Sequence, residues 1–152
     1  MQTCNQPAIS IGEEELLSNK KLVIVVAANL ATGMMANRCA ALSVGITGSH
    51  PEIIGSPTET ADGIVLGAIT RMPIPILVAK EIKSLPEMEN KARLQGCTTL
   101  VYLSRAQGLR SYQAYLDSIK ATPYADLDID AIAIYGDKKI VSSLTGNLAI
   151  LR

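Results

Sequence analysis

Asn29, Thr32, Gly33, Asn37 and Arg38 are the residues of this 152-residue chain whose types and spacing best suit ligand binding. A continuous apolar run precedes them and a helix-forming stretch follows, so they fall on a strand-to-helix turn and on the first turns of the helix. In open α/β sheets ligands collect at the carboxyl ends of strands, and free amides at a helix N-terminus favour an anion. Asn29 and Asn37 would supply neutral hydrogen bonds and Arg38 the charge, which implies a small anionic ligand. The plainer alternative has Asn29 or Thr32 capping the helix, with Arg38 merely exposed.

Other reactive residues carry weaker patterns. Asp126, Asp128 and Asp130 alternate and would place three carboxylates on one side of an extended segment. The Gly turn and distal Glu of a calcium loop are missing, so a solvated edge is expected and no metal site. His50 is the only histidine, and Gly48-Ser49-His50-Pro51 has the composition of an exposed surface turn. Cys39 lies within the predicted helix and is expected to be inert packing, although Arg38 beside a pocket would favour its thiolate. Ser-His-Asp catalysis would need His50 beside a nucleophile, and with no G-x-S-x-G elbow that class is not expected. The chain contains no G-x-G-x-x-G, G-x-x-x-x-G-K-[ST] or H-E-x-x-H either, so no cofactor is expected.

Bulk properties bound the function further. Fourteen basic and fourteen acidic residues cancel, removing the broad positive field that grips a phosphate backbone. Nucleic acid is therefore disfavoured as a partner. Cys4, Cys39 and Cys97 have neither disulfide-framework nor zinc spacing, which suits a reducing cytoplasm. The first dozen residues place no Lys or Arg before an apolar run, and no segment reaches the ~18 apolar residues of a membrane span. Neither secretion nor membrane insertion is expected.

These residues need a scaffold, and its pattern is α/β. Residues 1–19 read as a loose arm in which Ser10-Ile11-Gly12-Glu13 offers a capping box for a short helix; residues 20–152 read as one α/β domain. Lys21-Leu22-Val23-Ile24-Val25-Val26-Ala27-Ala28 is too apolar for a half-exposed strand and predicts a central one. A helix is predicted over 34–44, then a long connection over 45–62. Strands are predicted at 63–69, 75–79, 98–103 and 131–135. Helices are predicted after Ser84, ending at Gly96, and over 111–121, where Tyr112, Tyr115, Leu116 and Ile119 share the spacing of one buried face. The alternation implies a mainly parallel sheet covered on both faces.

At both ends the chain resembles a known superfamily. Lys21-Leu22-Val23-Ile24-Val25-Val26, then Asn29-Leu30 and an Ala-rich helix, is similar to the opening of type-2 peptidyl-tRNA hydrolases. Ala131-Ile132-Ala133-Ile134-Tyr135-Gly136 and the later Leu144-Thr145-Gly146-Asn147-Leu148 look like that superfamily's closing strand and terminus. Asn37 in Met35-Ala36-Asn37-Arg38-Cys39 and Pro75-Ile76-Leu77-Val78 resemble more closely a bacterial branch, the domain-of-unknown-function family 2000. The likeness spans residues 20–152. It implies a three-layer α/β/α fold with a small mixed, mostly parallel sheet of about four strands, and a homodimer.

The resemblance carries the fold and leaves the activity. Placed without gaps from Asn29-Leu30, the superfamily's catalytic Lys falls at Ala36, and no Lys occurs between Lys21 and Lys80. The Asp-Ala-Gly-x-Thr segment is also missing, with Tyr124-Ala125-Asp126 in the comparable stretch. Two function classes stand open: a ligand-binding or regulatory module lacking peptidyl-tRNA hydrolase activity, which is preferred, and a hydrolase or transferase using residues such as Asp126 or Cys39.

Overall fold

A computed structural model describes residue 15 and residues 17–152. The arm's capping box at Ser10 lies outside the described residues; Glu15, Leu17 and Ser18 are helical. The run of β-branched residues forms β1 (Lys20–Ala27), and Leu22 through Ala27 are buried on both faces. It is central because strands flank it on both sides. The five-stranded sheet has the order β5-β6-β1-β4-β7, with β4 at Ile76–Ala79, β5 at Thr98–Leu103, β6 at Ile129–Asp137 and β7 at Ala149–Ile150.

Helices cover both faces, as the alternation requires. On one side α1 (Thr32–Ser49) packs Met35, Leu42 and Ile46 against Leu22, Ile24, Val26, Ala131 and Ala133. On the other, α2 (Ser84–Leu94) and α4 (Lys138–Thr145) bring Leu85, Ala92 and Val141 onto Val23, Val25, Ile132 and Ile134. α3 (Tyr112–Lys120) joins that second layer through Tyr115 and Ile119. Each buried aliphatic side chain contributes about 1.5–3 kcal/mol, so β1 and β6, buried on both faces, anchor the fold.

The sheet departs from the expected parallel arrangement. Only β1 and β4 run parallel, through Ile24↔Ile76 to Ala27↔Ala79. β6 is antiparallel to both β1 and β5, and β7 is antiparallel to β4. The reason is connectivity: α3 and the turns around it return the chain to the end where β5 finished, so β6 must run back.

Two local expectations also fail. The predicted strand 63–69 is instead β3 (Val65–Leu66), paired with β2 (Thr58–Glu59) in a separate, exposed hairpin. Gly63 turns that hairpin at φ +87, and the Ile64 N–H donates to the Thr60 hydroxyl at 2.9 Å. The connection predicted over 45–62 starts late, because α1 continues through Gly45 and Gly48 to Ser49. Gly45 serves packing: a Cβ there would lie 2.5 Å from Leu100 Cδ2 on β5. Gly96 does end the second-layer helix region, at φ +84. Among the described residues no helix is long and apolar enough to cross a membrane.

Candidate functional site

The carboxyl ends of β1, β4 and β5 and the start of β6 share one end of the sheet. The five predicted ligand residues lie there, four on the surface and one in the core. Ala31, without a side-chain hydrogen bond, occupies the N-cap position of α1, so neither Asn29 nor Thr32 caps the helix. Asn29, Thr32, Gly33 and Asn37 are exposed. Arg38 is the opposite, with 1% of its side chain exposed.

Arg38 is buried because it occupies the core stripe of α1, three residues after Met35 and four before Leu42. Its guanidinium donates to both oxygens of Asp130, from Nε at 3.2 Å and from Nη2 at 2.8 Å. Nη2 also donates to Gln107 Oε1 at 3.3 Å, and the Ser104 hydroxyl donates to Asp130 Oδ2 at 2.9 Å. The Tyr102 ring lies against the guanidinium, 4.4 Å from centroid to Cζ. The hydrogen bond to Asp130 raises the Arg38 pKa further against the opposing effect of burial. The charge expected to meet a ligand is spent inside the fold.

Asp130 reaches Arg38 through a break in strand register. Tyr102 pairs with Ala131 but Leu103 pairs with Ile129, leaving Asp130 as the extra residue of a bulge. The bulge turns its carboxylate onto the α1 side, beside Ala131. The alternation of Asp126, Asp128 and Asp130 therefore does not make a carboxylate row. Asp130 is buried, Asp128 is bound by Arg105, and Asp126 lies exposed in a short 3₁₀ turn. The Arg105 backbone N–H donates to Asp128 Oδ2 at 2.7 Å and its Nε to Oδ1 at 2.5 Å. Burial pushes Asp128 up, but the backbone and guanidinium of Arg105 outweigh it and hold the carboxyl below its usual range. Among the described residues no three His, Cys, Asp or Glu side chains converge to hold a metal ion.

Beyond Asn37 the α1 face opens into a cleft of about 450 Å³ against β5 and α3, lined by Leu42, Leu100, Tyr102, Leu109, Arg110, Tyr112 and Tyr115. The Tyr102 hydroxyl donates to Asn37 Oδ1 at 3.2 Å, so Asn37 does not line the cleft but neighbours a residue that does, and among the described residues its amide N–H groups have no acceptor. Tyr112 and Tyr115 stack obliquely, centroids 6.1 Å apart. Tyr115 is half-buried and burial pushes its phenol up, whereas Tyr112 is 75% exposed. The four residues expected to form one buried face of this helix thus divide, and Tyr112 walls the cleft. Arg110 is exposed and, among the described residues, pairs with no carboxylate. Sequence reasoning did not single out Arg110, although it stands two residues before Tyr112.

His50 is not an exposed turn residue. It follows α1 at the opposite end of the sheet with 26% of its side chain exposed, and its ring packs on Tyr135 with centroids 4.4 Å apart. Nδ1 lies 3.0 Å from Glu52 Oε1 and Nε2 lies 2.8 Å from Thr98 Oγ1. Cys39 is half-buried, and burial raises its thiol pKa, in keeping with a packing role.

Comparison with known proteins gives the fold and the family without an activity. The family model described as "Protein of unknown function (DUF2000)" matches residues 20–152. A protein of unknown function from Agrobacterium tumefaciens strain C58 has a similar structure, with a TM-score of 0.81 and 21% identity. The alignment covers 88% of this chain and 98% of that one, which at this identity speaks for the fold alone. No curated protein matches the chain.

Proposed function

The chain belongs to the DUF2000 family, and from that premise we propose that it is a small-ligand-binding module whose site is the tyrosine-lined cleft between α1, β5 and α3. The observation that carries this reading is Arg110, which lines an apolar cleft and pairs with no carboxylate among the described residues. A volume of about 450 Å³ falls within the range of small-molecule sites, which join apolar walls to a few polar groups. The ligand that fits is a small organic acid with a planar or branched apolar body. Its body packs against Tyr112, Leu109 and Tyr102, its acid group meets Arg110, and Asn37 donates a neutral hydrogen bond. Asn29, Thr32 and Gly33 do not line the cleft and are left outside the proposed site.

This reading extends the sequence expectation of an anionic ligand and moves the charge from Arg38 to Arg110. It also fits a scaffold of the peptidyl-tRNA hydrolase-like kind that has lost that chemistry, since Ala36 stands exposed where its lysine is expected. The edge strand β5, the exposed hairpin residues Ile64, Val65 and Leu66 and the exposed Ile69 beyond them favour a homodimer. Free thiols at Cys39 and Cys97 suit a reducing cytoplasm.

The test uses the anionic aromatic probe 1-anilinonaphthalene-8-sulfonate. Saturable binding to the folded protein, weakened about 10-fold in Arg110→Gln and in Tyr112→Ala, is the expected result for loss of one charged or stacking contact. Equal affinity in wild type and both variants would remove the cleft as the site.

A further inference from the structure

We propose that Thr98, His50 and Glu52 form an acyl-transfer relay, so that the protein has an esterase site at the end of the sheet opposite the Arg38–Asp130 pair. The three side chains come from different elements. Thr98 opens edge strand β5, His50 follows the last residue of α1, and Glu52 lies in the 3₁₀ turn Pro51–Ile53. Residues 48 apart in sequence are thereby held within hydrogen-bonding distance.

The proton positions follow from the partners. With the imidazole neutral, Glu52 as a carboxylate only accepts, so the 3.0 Å contact assigns the ring proton to Nδ1. Nε2 then presents its lone pair to the Thr98 hydroxyl, which donates to it at 2.8 Å. This is the order hydroxyl, imidazole, carboxylate that converts a weak oxygen nucleophile into a reactive one. The Tyr135 ring packs against the imidazole, and its hydroxyl makes a long contact of 3.5 Å with the same Glu52 oxygen. His50 and Glu52 keep 26% and 32% of their side-chain surfaces exposed, so an ester can reach the relay from solvent.

The chemistry balances without a cofactor. Thr98 Oγ1 attacks the ester carbonyl carbon while its proton passes to His50 Nε2, and Glu52 stabilises the imidazolium. The carbon–oxygen bond to the leaving alcohol breaks, and the departing oxygen takes the proton from Nε2. Water then attacks the acyl-Thr98 ester by the same proton route, releasing a carboxylic acid and restoring the hydroxyl. The open setting lets a small activated ester reach the relay without a closed pocket.

This inference is independent of the ligand cleft. Thr98 precedes Tyr102 by four residues, about 13 Å along the strand, and the two sites are read by different measurements. The experiment is acylation by p-nitrophenyl acetate, followed by peptide mapping of the modified residue and by burst kinetics. A single acetyl group on Thr98 is expected, absent in the near-isosteric Thr98→Val and retained in Thr98→Ser. The burst rate should fall about 100-fold or more in His50→Gln and about 10-fold in Glu52→Gln. The wild-type map decides even if a variant folds poorly. Acetyl transfer confined to lysines or tyrosines, no modification of either wild type or Thr98→Ser, or an unchanged burst in a folded His50→Gln variant would each overturn the proposal.

Discussion

Arg38 and Asp130, 92 residues apart, face each other in two hydrogen bonds with 1% of each side chain exposed. The pair ties α1 to the bulge of β6 and closes the end of the sheet where the sequence pointed to an open, ligand-binding cation.

Removing one partner should be far worse than removing both. Arg38→Met leaves the Asp130 carboxylate buried without its countercharge, and a loss of about 3–5 kcal/mol is expected. Adding Asp130→Leu should recover a large part of it, because a matched apolar pair carries no orphan charge. Urea denaturation of the wild type and the single and double variants measures this directly.

The Arg105–Asp128 pair sets part of the acid limb of stability. The Asp128 carboxyl is held below its unfolded value, so its contribution is fully present above the ordinary Asp range near 3.9 and is lost as pH falls through the folded pKa. Arg105→Gln should flatten stability against pH across that acidic window and leave the slope above pH 6 unchanged. Thermal melting at stepped pH reads the difference.

Tyr124 makes the opposite prediction at high pH. Burial, followed by the hydrogen bond and negative charge of Glu89, pushes its phenol up to about 12. A raised pKa stabilises below the unfolded value near 10 and is lost as pH rises towards 12. Spectrophotometric titration should show a late-ionising tyrosine that is absent in Tyr124→Phe and shifts earlier in Glu89→Gln.

Gly136 and Cys97 meet so closely that size, not backbone freedom, fixes the glycine. A Cβ on Gly136 would lie 2.7 Å from Cys97 Sγ and 3.2 Å from Cys97 Cα. Gly136→Ala should cost about 1–3 kcal/mol by overpacking. Cys97→Ala should recover only part, since the backbone at that position still crowds the added methyl group; chemical denaturation distinguishes full from partial rescue.

Much of the scaffold was legible because β1 and β6 are long, apolar and bounded by turn residues. Pro75 marked the start of β4, and Gly96 the end of its helix. Strand direction was not legible, since periodicity reports which residues are buried and says nothing about the sense in which β6 runs. The site was half legible. Met35, Arg38, Leu42 and Ile46 follow the helical stripe, so the burial of Arg38 was written in its spacing, but its partner was hidden by the bulge that breaks the Asp126-Asp128-Asp130 alternation. His50 could not be paired from sequence, because Thr98 reaches it only through the packing of α1 on β5.

The cleft beside Arg110 is expected to take a small apolar acid. Two-dimensional ¹H–¹⁵N spectra recorded during titration with 1-anilinonaphthalene-8-sulfonate test it residue by residue. Saturating shifts are expected at Asn37, Tyr102, Leu109, Arg110 and Tyr112, with the amides of Thr32 and Gly33 unmoved. Shifts centred on Asn29, Thr32 and Gly33, with Arg110 and Tyr112 unaffected, would contradict it.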